Sequence, residues 1–113
     1  MTSWREEKRP TESVERIDVA ALHERAGDVQ VVDVRERSEW DQGHIPGSVH
    51  APYHDLHTVP EGVDLAQPVA AICSSGQRSA VAASLLLRRG AEHVIHVADG
   101  GVGTWQRQGW PIE

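Results

Sequence analysis

Apolar residues along this chain of 113 come in short bursts whose spacing alternates between a strand-like and a helix-like period. Ser13 to Ile17 reads as a short strand. Asp18 is placed to cap a helix over Val19–Ala26, with Gly27 supplying a left-handed stop. Val29 to Val34 is a valine-rich run broken only by Gln30 and Asp33, the pattern of a strand buried on both faces. A polar, helix-like turn runs from Glu36 through Trp40 to Asp41, and Gly43-His44-Ile45-Pro46-Gly47 punctuates the chain as a loop. Ser48–His50 fits a further short strand closed by Pro52, Tyr53–His57 one helical turn, and Val59–Pro68 irregular chain. Val69–Ile72 is a buried strand. Ser79–Arg89 is a helix that can turn Ala80, Val81, Ala83, Leu86 and Leu87 to a sheet, stopped by Gly90. His93–Val97 makes another strand, and Gly100-Gly101 turns into a last helix over Val102–Gln108 anchored by Trp105.

Strands alternating with helices imply an α/β fold: a compact, mostly parallel sheet with helices on both faces, joined by right-handed crossovers. Residues 1–12 read as a polar tail and 13–113 as one domain, without internal repeats. Ligands of such sheets bind at the carboxyl ends of the strands. The chain's single cysteine, Cys73, falls at one of those ends.

Composition narrows the function classes. Seventeen acidic against eleven basic residues give a net charge of −6, the wrong sign for a nucleic-acid partner. One cysteine makes no internal disulfide, no apolar run reaches the ~18 residues of a membrane span, and the start is too charged for a signal peptide. A cytoplasmic, reducing location is expected, with no membrane partner and no cofactor.

Cys73 opens Ser74-Ser75-Gly76-Gln77-Arg78-Ser79, directly after a strand and directly before a helix. A strand, a glycine-containing loop and a helix start together form an anion cradle, because successive N–H groups point inward and the helix N-terminus adds partial positive charge. A thiol at the mouth of that cradle should be ionised more readily than usual, and the thiolate is the nucleophile. Arg78 adds a permanent cation with a forked donor face. The scheme requires a sulfur that is ionisable and turned toward solvent. An inert cysteine ending a core strand is the plain alternative.

Other residues carry structural expectations. Asp33 and Arg35 end a central strand and suit an ion pair with Glu39 or a bond to a loop carbonyl. His44 should satisfy backbone groups in its tight loop. His50, His54 and His57 are loosely grouped, but match no zinc spacing and have no second cysteine, so they read as solvated and no metal is expected. Trp105 reads as core and Trp110 as surface packing.

Three stretches resemble the single-domain rhodanese family of sulfurtransferases. They are Val32-Asp33-Val34-Arg35 with Glu39-Trp40 and Gly43-His44-Ile45-Pro46-Gly47-Ser48, then Cys73–Ser79, then Gly100-Gly101 with Trp105, Gly109 and Pro111. Together they span roughly Val14 to Glu113. Trp40 stands where the family more often has Tyr or Phe, a change expected to alter packing and leave the chemistry alone. The resemblance implies a rhodanese-like fold and a sulfurtransferase that takes a sulfane sulfur from thiosulfate, a persulfide or a polysulfide. Cys73 would be the nucleophile and persulfide carrier, passing the sulfur to a small thiol or cyanide-like acceptor, or to a protein thiol. Ser74, Ser75, Gly76, Gln77, Arg78 and Ser79 would line the pocket with their amides, Gly76 letting the backbone turn. Arg78 would either shape the loop or hold an anionic donor. A sulfur-carrier or docking module with little turnover uses the same thiol. Cysteine-dependent phosphatases and arsenate reductases are a weaker fit, because such phosphatases place five residues between Cys and Arg and here there are four.

Overall fold

The computed structural model describes residues 14–25, 27–56, 59–74 and 77–113. The expected polar tail, Ser13, His57, Ser75 and Gly76 lie outside them. Among the described residues, five strands form one sheet: β1 (Val14–Asp18), β2 (Gln30–Asp33), β3 (Val49–His50), β4 (Val69–Ile72) and β5 (Val94–Asp99). Their spatial order is β1-β5-β4-β2-β3, and every neighbouring pair runs parallel. Three helices among the described residues lie between strands, α1 (Val19–Arg25), α2 (Arg37–Asp41) and α3 (Gln77–Arg88); α4 (Val102–Arg107) follows β5, and a 3-10 turn spans Tyr53–Asp55.

The two faces of the sheet carry separate cores because side chains alternate along each strand. Val32, Val34, Val69, Ala71, Cys73 and Val94 pack beneath α3. Val31, Ala70, Ile72, Ile95 and Val97 pack on the other side against Val19 and Leu22 of α1 and Val102 and Trp105 of α4. All four residues of β4 are fully buried, which explains why its sequence, Val-Ala-Ala-Ile, has no polar position. Trp105 is a core residue as expected, and its indole N–H donates to the Pro111 carbonyl at 2.6 Å.

Several local expectations hold with their mechanisms. Asp18 Oδ1 accepts the Ala21 amide at 2.8 Å, a side-chain cap on α1. Gly90 ends α3 with φ +104°, a conformation that favours glycine. Two expectations are corrected. Gly27 does not adopt a left-handed conformation; the chain leaves α1 through a hydrogen bond from the Asp28 amide to the Arg25 carbonyl, a turn that needs none. The buried stripe of α3 is Ser79, Ala82, Ala83 and Leu86, so the helix begins two residues earlier than expected and is rotated. Ala80 is exposed and Val81 is 50% exposed, not packed on the sheet. Ser79 sets that rotation, since its hydroxyl is turned inward toward Cys73.

Among the described residues, no helix is long and apolar enough to cross a membrane.

Candidate active site

Cys73 follows β4 immediately, at the same sheet edge as Asp33, which ends β2 in register with Ile72. Its carbonyl is held by the Val102 amide at 3.2 Å, so α4 starts against the loop. Gly101 makes that approach feasible. Its φ of −174° is ordinary extended backbone, so the demand is for space alone. A Cβ there would overlap the Cys73 carbonyl oxygen and sit 2.7 Å from that of Ser74. Gly101→Ala should therefore push the strand end and α4 apart and destabilise the fold by about 1–3 kcal/mol. Equilibrium unfolding in denaturant reads this; an unchanged midpoint would mean that the loop yields freely.

The sulfur itself is the main correction. Cys73 has 0% exposed surface, where a solvent-facing thiol was expected. Sγ lies on the floor of the site, inside the core cluster beneath α3. The reason is again Ser79, also fully buried, whose Oγ is 3.6 Å from Sγ and 3.4 Å from the Val97 carbonyl. The thiol donates to the hydroxyl and the hydroxyl donates to the carbonyl. A hydroxyl both donates and accepts, so once the thiol has lost its proton Ser79 can turn and donate to the thiolate. Any molecule that is to touch Sγ must first displace part of what covers it.

Arg78 is where two elements are joined. Its guanidinium donates to both carboxylate oxygens of Glu39, at 2.6 and 3.0 Å, and to Ser74 Oγ at 2.5 Å. Ser74 Oγ in turn lies 3.3 Å from Glu39 Oε2. The bidentate bond to Arg78 holds the Glu39 carboxyl at a pKa of about 2, against a partial burial that works the other way. Glu39 stays ionised throughout the neutral and mildly acidic range. The same pairing raises the pKa of Arg78, with the Cys73 sulfur close enough to add to the effect. Arg78 thus ties Ser74 of the loop to Glu39 of α2.

No motif in the sequence marks Glu39 for this role. It sits on α2, a helix of five residues with no buried side chain, too short to persist unaided. Three contacts keep it in place. Glu39 Oε1 accepts the Glu36 amide at 3.0 Å, closing the first turn. Trp40 lies between two imidazoles, parallel to His44 with ring centroids 3.6 Å apart and near-parallel to His50 at 4.7 Å. Beneath them is a buried ion pair: Arg35 donates to both Asp33 oxygens, at 2.8–3.0 Å, and to the Gly43 carbonyl at 2.8 Å. Arg35 thus takes a loop carbonyl as expected, but its carboxylate is Asp33 and not Glu39.

The histidines behave structurally. His44 Nδ1 is 3.3 Å from the Trp40 carbonyl, and its own amide and carbonyl pair with Glu113, as expected for a tight loop. His50 Nε2 is 2.8 Å from the Arg35 carbonyl, and His54 Nε2 is 2.9 Å from Glu36 Oε2. Of the predicted site residues, Cys73, Ser74, Arg78 and Ser79 come together; Gln77 opens α3 with an exposed side chain. A separate cleft of about 220 Å³ lies between α1, α4 and the 43–47 loop, lined by His23, Ile45, Pro46, Trp105 and Pro111. It contains no nucleophile and none of the Cys73 loop.

Comparison with known proteins places this geometry. The family model of the Rhodanese-like domain matches residues 18–108. Among solved structures, a rhodanese-related protein from Thermoplasma volcanium is 31% identical with a TM-score of 0.75, covering 88% of this chain and 97% of that one. The rhodanese-like domain of a protein from Anabaena sp. is 27% identical with a TM-score of 0.75, over 87% of this chain and 77% of that one. A protein from Rhodopseudomonas palustris described as of unknown function, possible tyrosine phosphatase, is 32% identical with a TM-score of 0.72, over 92% and 88%.

Proposed function

This chain belongs to the rhodanese-like domain family, and we propose that it is a sulfurtransferase working through a persulfide on Cys73. The Cys73 thiolate attacks the outer sulfur of a donor such as thiosulfate; the S–S bond of the donor breaks, sulfite leaves, and the sulfur stays on Cys73 as a persulfide. An acceptor thiolate or cyanide then attacks that terminal sulfur and regenerates the Cys73 thiolate. One difficult transfer becomes two displacements.

The observation that carries this reading is the placing of Cys73 Sγ at a strand's carboxyl end, 3.6 Å from the Ser79 hydroxyl and just ahead of α3. A reorientable hydroxyl and a helix start favour the anion first as thiolate and then as the terminal persulfide sulfur. Ser74, Gln77, Arg78 and Ser79 belong to the same pocket in this scheme, with Ser75 and Gly76 completing the loop. The partners are small sulfur donors and thiol acceptors, a protein thiol among them, in a reducing compartment such as the cytoplasm.

Phosphatase chemistry, suggested by the description of the Rhodopseudomonas palustris relative, is served less well. Only four residues separate Cys73 from Arg78, and Arg78 is committed to Glu39. Glu39 is held at about 2 by that arginine and so has no proton to give a leaving alkoxide at neutral pH. One observation favours a slower variant of the proposed role. A sulfur with 0% exposure suits a carrier that loads once and waits for a partner.

Incubation with thiosulfate, followed by mass spectrometry, tests the proposal. A reductant-labile gain of about 32 Da on Cys73 is expected, the mass of one sulfur on the oxidation ladder of thiols. Multiple turnovers with cyanide identify the enzyme, and stoichiometric loading without turnover identifies the carrier. No adduct with thiosulfate, persulfide or polysulfide would overturn both.

A further inference from the structure

We propose that Glu39 is a specificity determinant, which turns the site against doubly charged sulfur donors and leaves it to donors of one charge or none. The proposal rests on the sulfurtransferase reading above and deepens it. The loop holds one cation, Arg78, and Glu39 covers both arms of its fork at 2.6 and 3.0 Å. The Ser74 hydroxyl, the other polar group at that point, is turned to the same pair. A dianion arriving at Cys73 finds no vacant guanidinium, and must either displace Glu39 or bind beside its charge.

Beyond the partial positive charge at the start of α3, the described side chains around Arg78 do not restore a positive field. Glu36 lies close enough to Arg78 to act on its charge, and carries a negative charge of its own. His54, the nearest counter-group to Glu36, is at 2.9 Å and is charged only when protonated. Arg35 is neutralised by Asp33 beneath the surface. Counting Glu36, Glu39 and Arg78, the rim of the site sums to a charge of −1. The chain as a whole adds its net −6, which disfavours anions at longer range.

The chemistry of the two donor classes is the same at the reacting bond. Thiosulfate gives its outer sulfur to the Cys73 thiolate and releases sulfite, and two negative charges leave where two arrived. Methanethiosulfonate gives the same sulfur and releases methanesulfinate, with one charge arriving and one leaving. The donors are nearly isosteric, so their ratio isolates charge.

The test compares kcat/KM for the two donors, with one acceptor, in the wild-type protein and in Glu39→Gln. The variant keeps an acceptor for Arg78 and removes the charge. The thiosulfate-to-methanethiosulfonate ratio should rise about five- to tenfold in the variant, the size expected for one unit charge several ångströms away in a partly shielded site. Equal losses for both donors would show that Glu39 only holds the loop, and would overturn the proposal. Should the variant not fold, the wild type decides through ionic strength: its kcat/KM for thiosulfate should climb with salt more steeply than that for methanethiosulfonate. A fall with salt would mean an attractive site and refute the idea. Failure of the underlying reading looks different, since then neither donor leaves a persulfide on Cys73.

Discussion

Replacing Cys73 by serine should abolish persulfide formation and lower sulfur transfer by at least about a thousandfold, with the fold retained. The two halves of that expectation have separate causes. The hydroxyl of a serine ionises far less readily than a thiol and forms no bond that carries a sulfane sulfur, so the covalent step is lost outright. The buried position remains satisfied, because the Ser79 hydroxyl that lies 3.6 Å from Sγ can bond the smaller oxygen. Circular dichroism and thermal unfolding of Cys73→Ser should accordingly stay close to wild type. Appreciable turnover in that variant would remove Cys73 from its assigned role, whatever else the loop does.

Asp33→Ala should be the most destabilising of the single substitutions considered, at about 3–5 kcal/mol, because it leaves a buried guanidinium without its carboxylate. Asp33 and Arg35 are only 1% and 6% exposed, and three of the bonds between their side chains lie at 2.8–3.0 Å. The Gly43 carbonyl would be the remaining partner, and it neutralises no charge. Arg37→Ala provides the contrast. Its pairing with Asp41 at 3.3 Å joins side chains 79% and 59% exposed, and removing it should shift stability by less than about 0.5 kcal/mol. Urea unfolding of both variants separates the cases. Equal effects would show that burial at the end of β2 does not isolate the pair from water. Activity should fall with Asp33→Ala as well, since Arg35 grips the loop that follows α2, the helix on which Glu39 stands.

Much of the fold was legible because its strands are apolar almost without interruption. Val69–Ile72 was recognisable as a doubly covered strand, and its placing before a loop and a helix located the thiol. Gly90 and Asp18 acted through local chemistry that needs no tertiary information. What could not be read depended on contacts between distant residues. Glu39 looked like one more charge on a polar turn, and its partner lies 39 positions away. The face of α3 is not legible in the hydropathy pattern because Ser79, a polar residue, is one of the four that point inward. The burial of Cys73 follows from the same pairing. A hydropathy pattern assigns hydroxyls to the outside, and here a hydroxyl and a thiol satisfy one another beneath the helix. Gly101 was visible as a turn residue, whereas the carbonyls pressed against it became apparent only in three dimensions.

Because every strand points the same way, Asp33, Cys73 and the approach to Gly101 gather along one rim of the sheet. The opposite rim is built by the segments that lead into the strands, including exposed Gln67 ahead of β4 and exposed Glu92 ahead of β5. Strands of four to six residues separate the two rims by about 13–20 Å. A fluorophore or surface tether attached at Gln67 or Glu92 would thus leave the rim that carries Cys73 turned away from its support, a convenient geometry for immobilising the protein with that rim unobstructed.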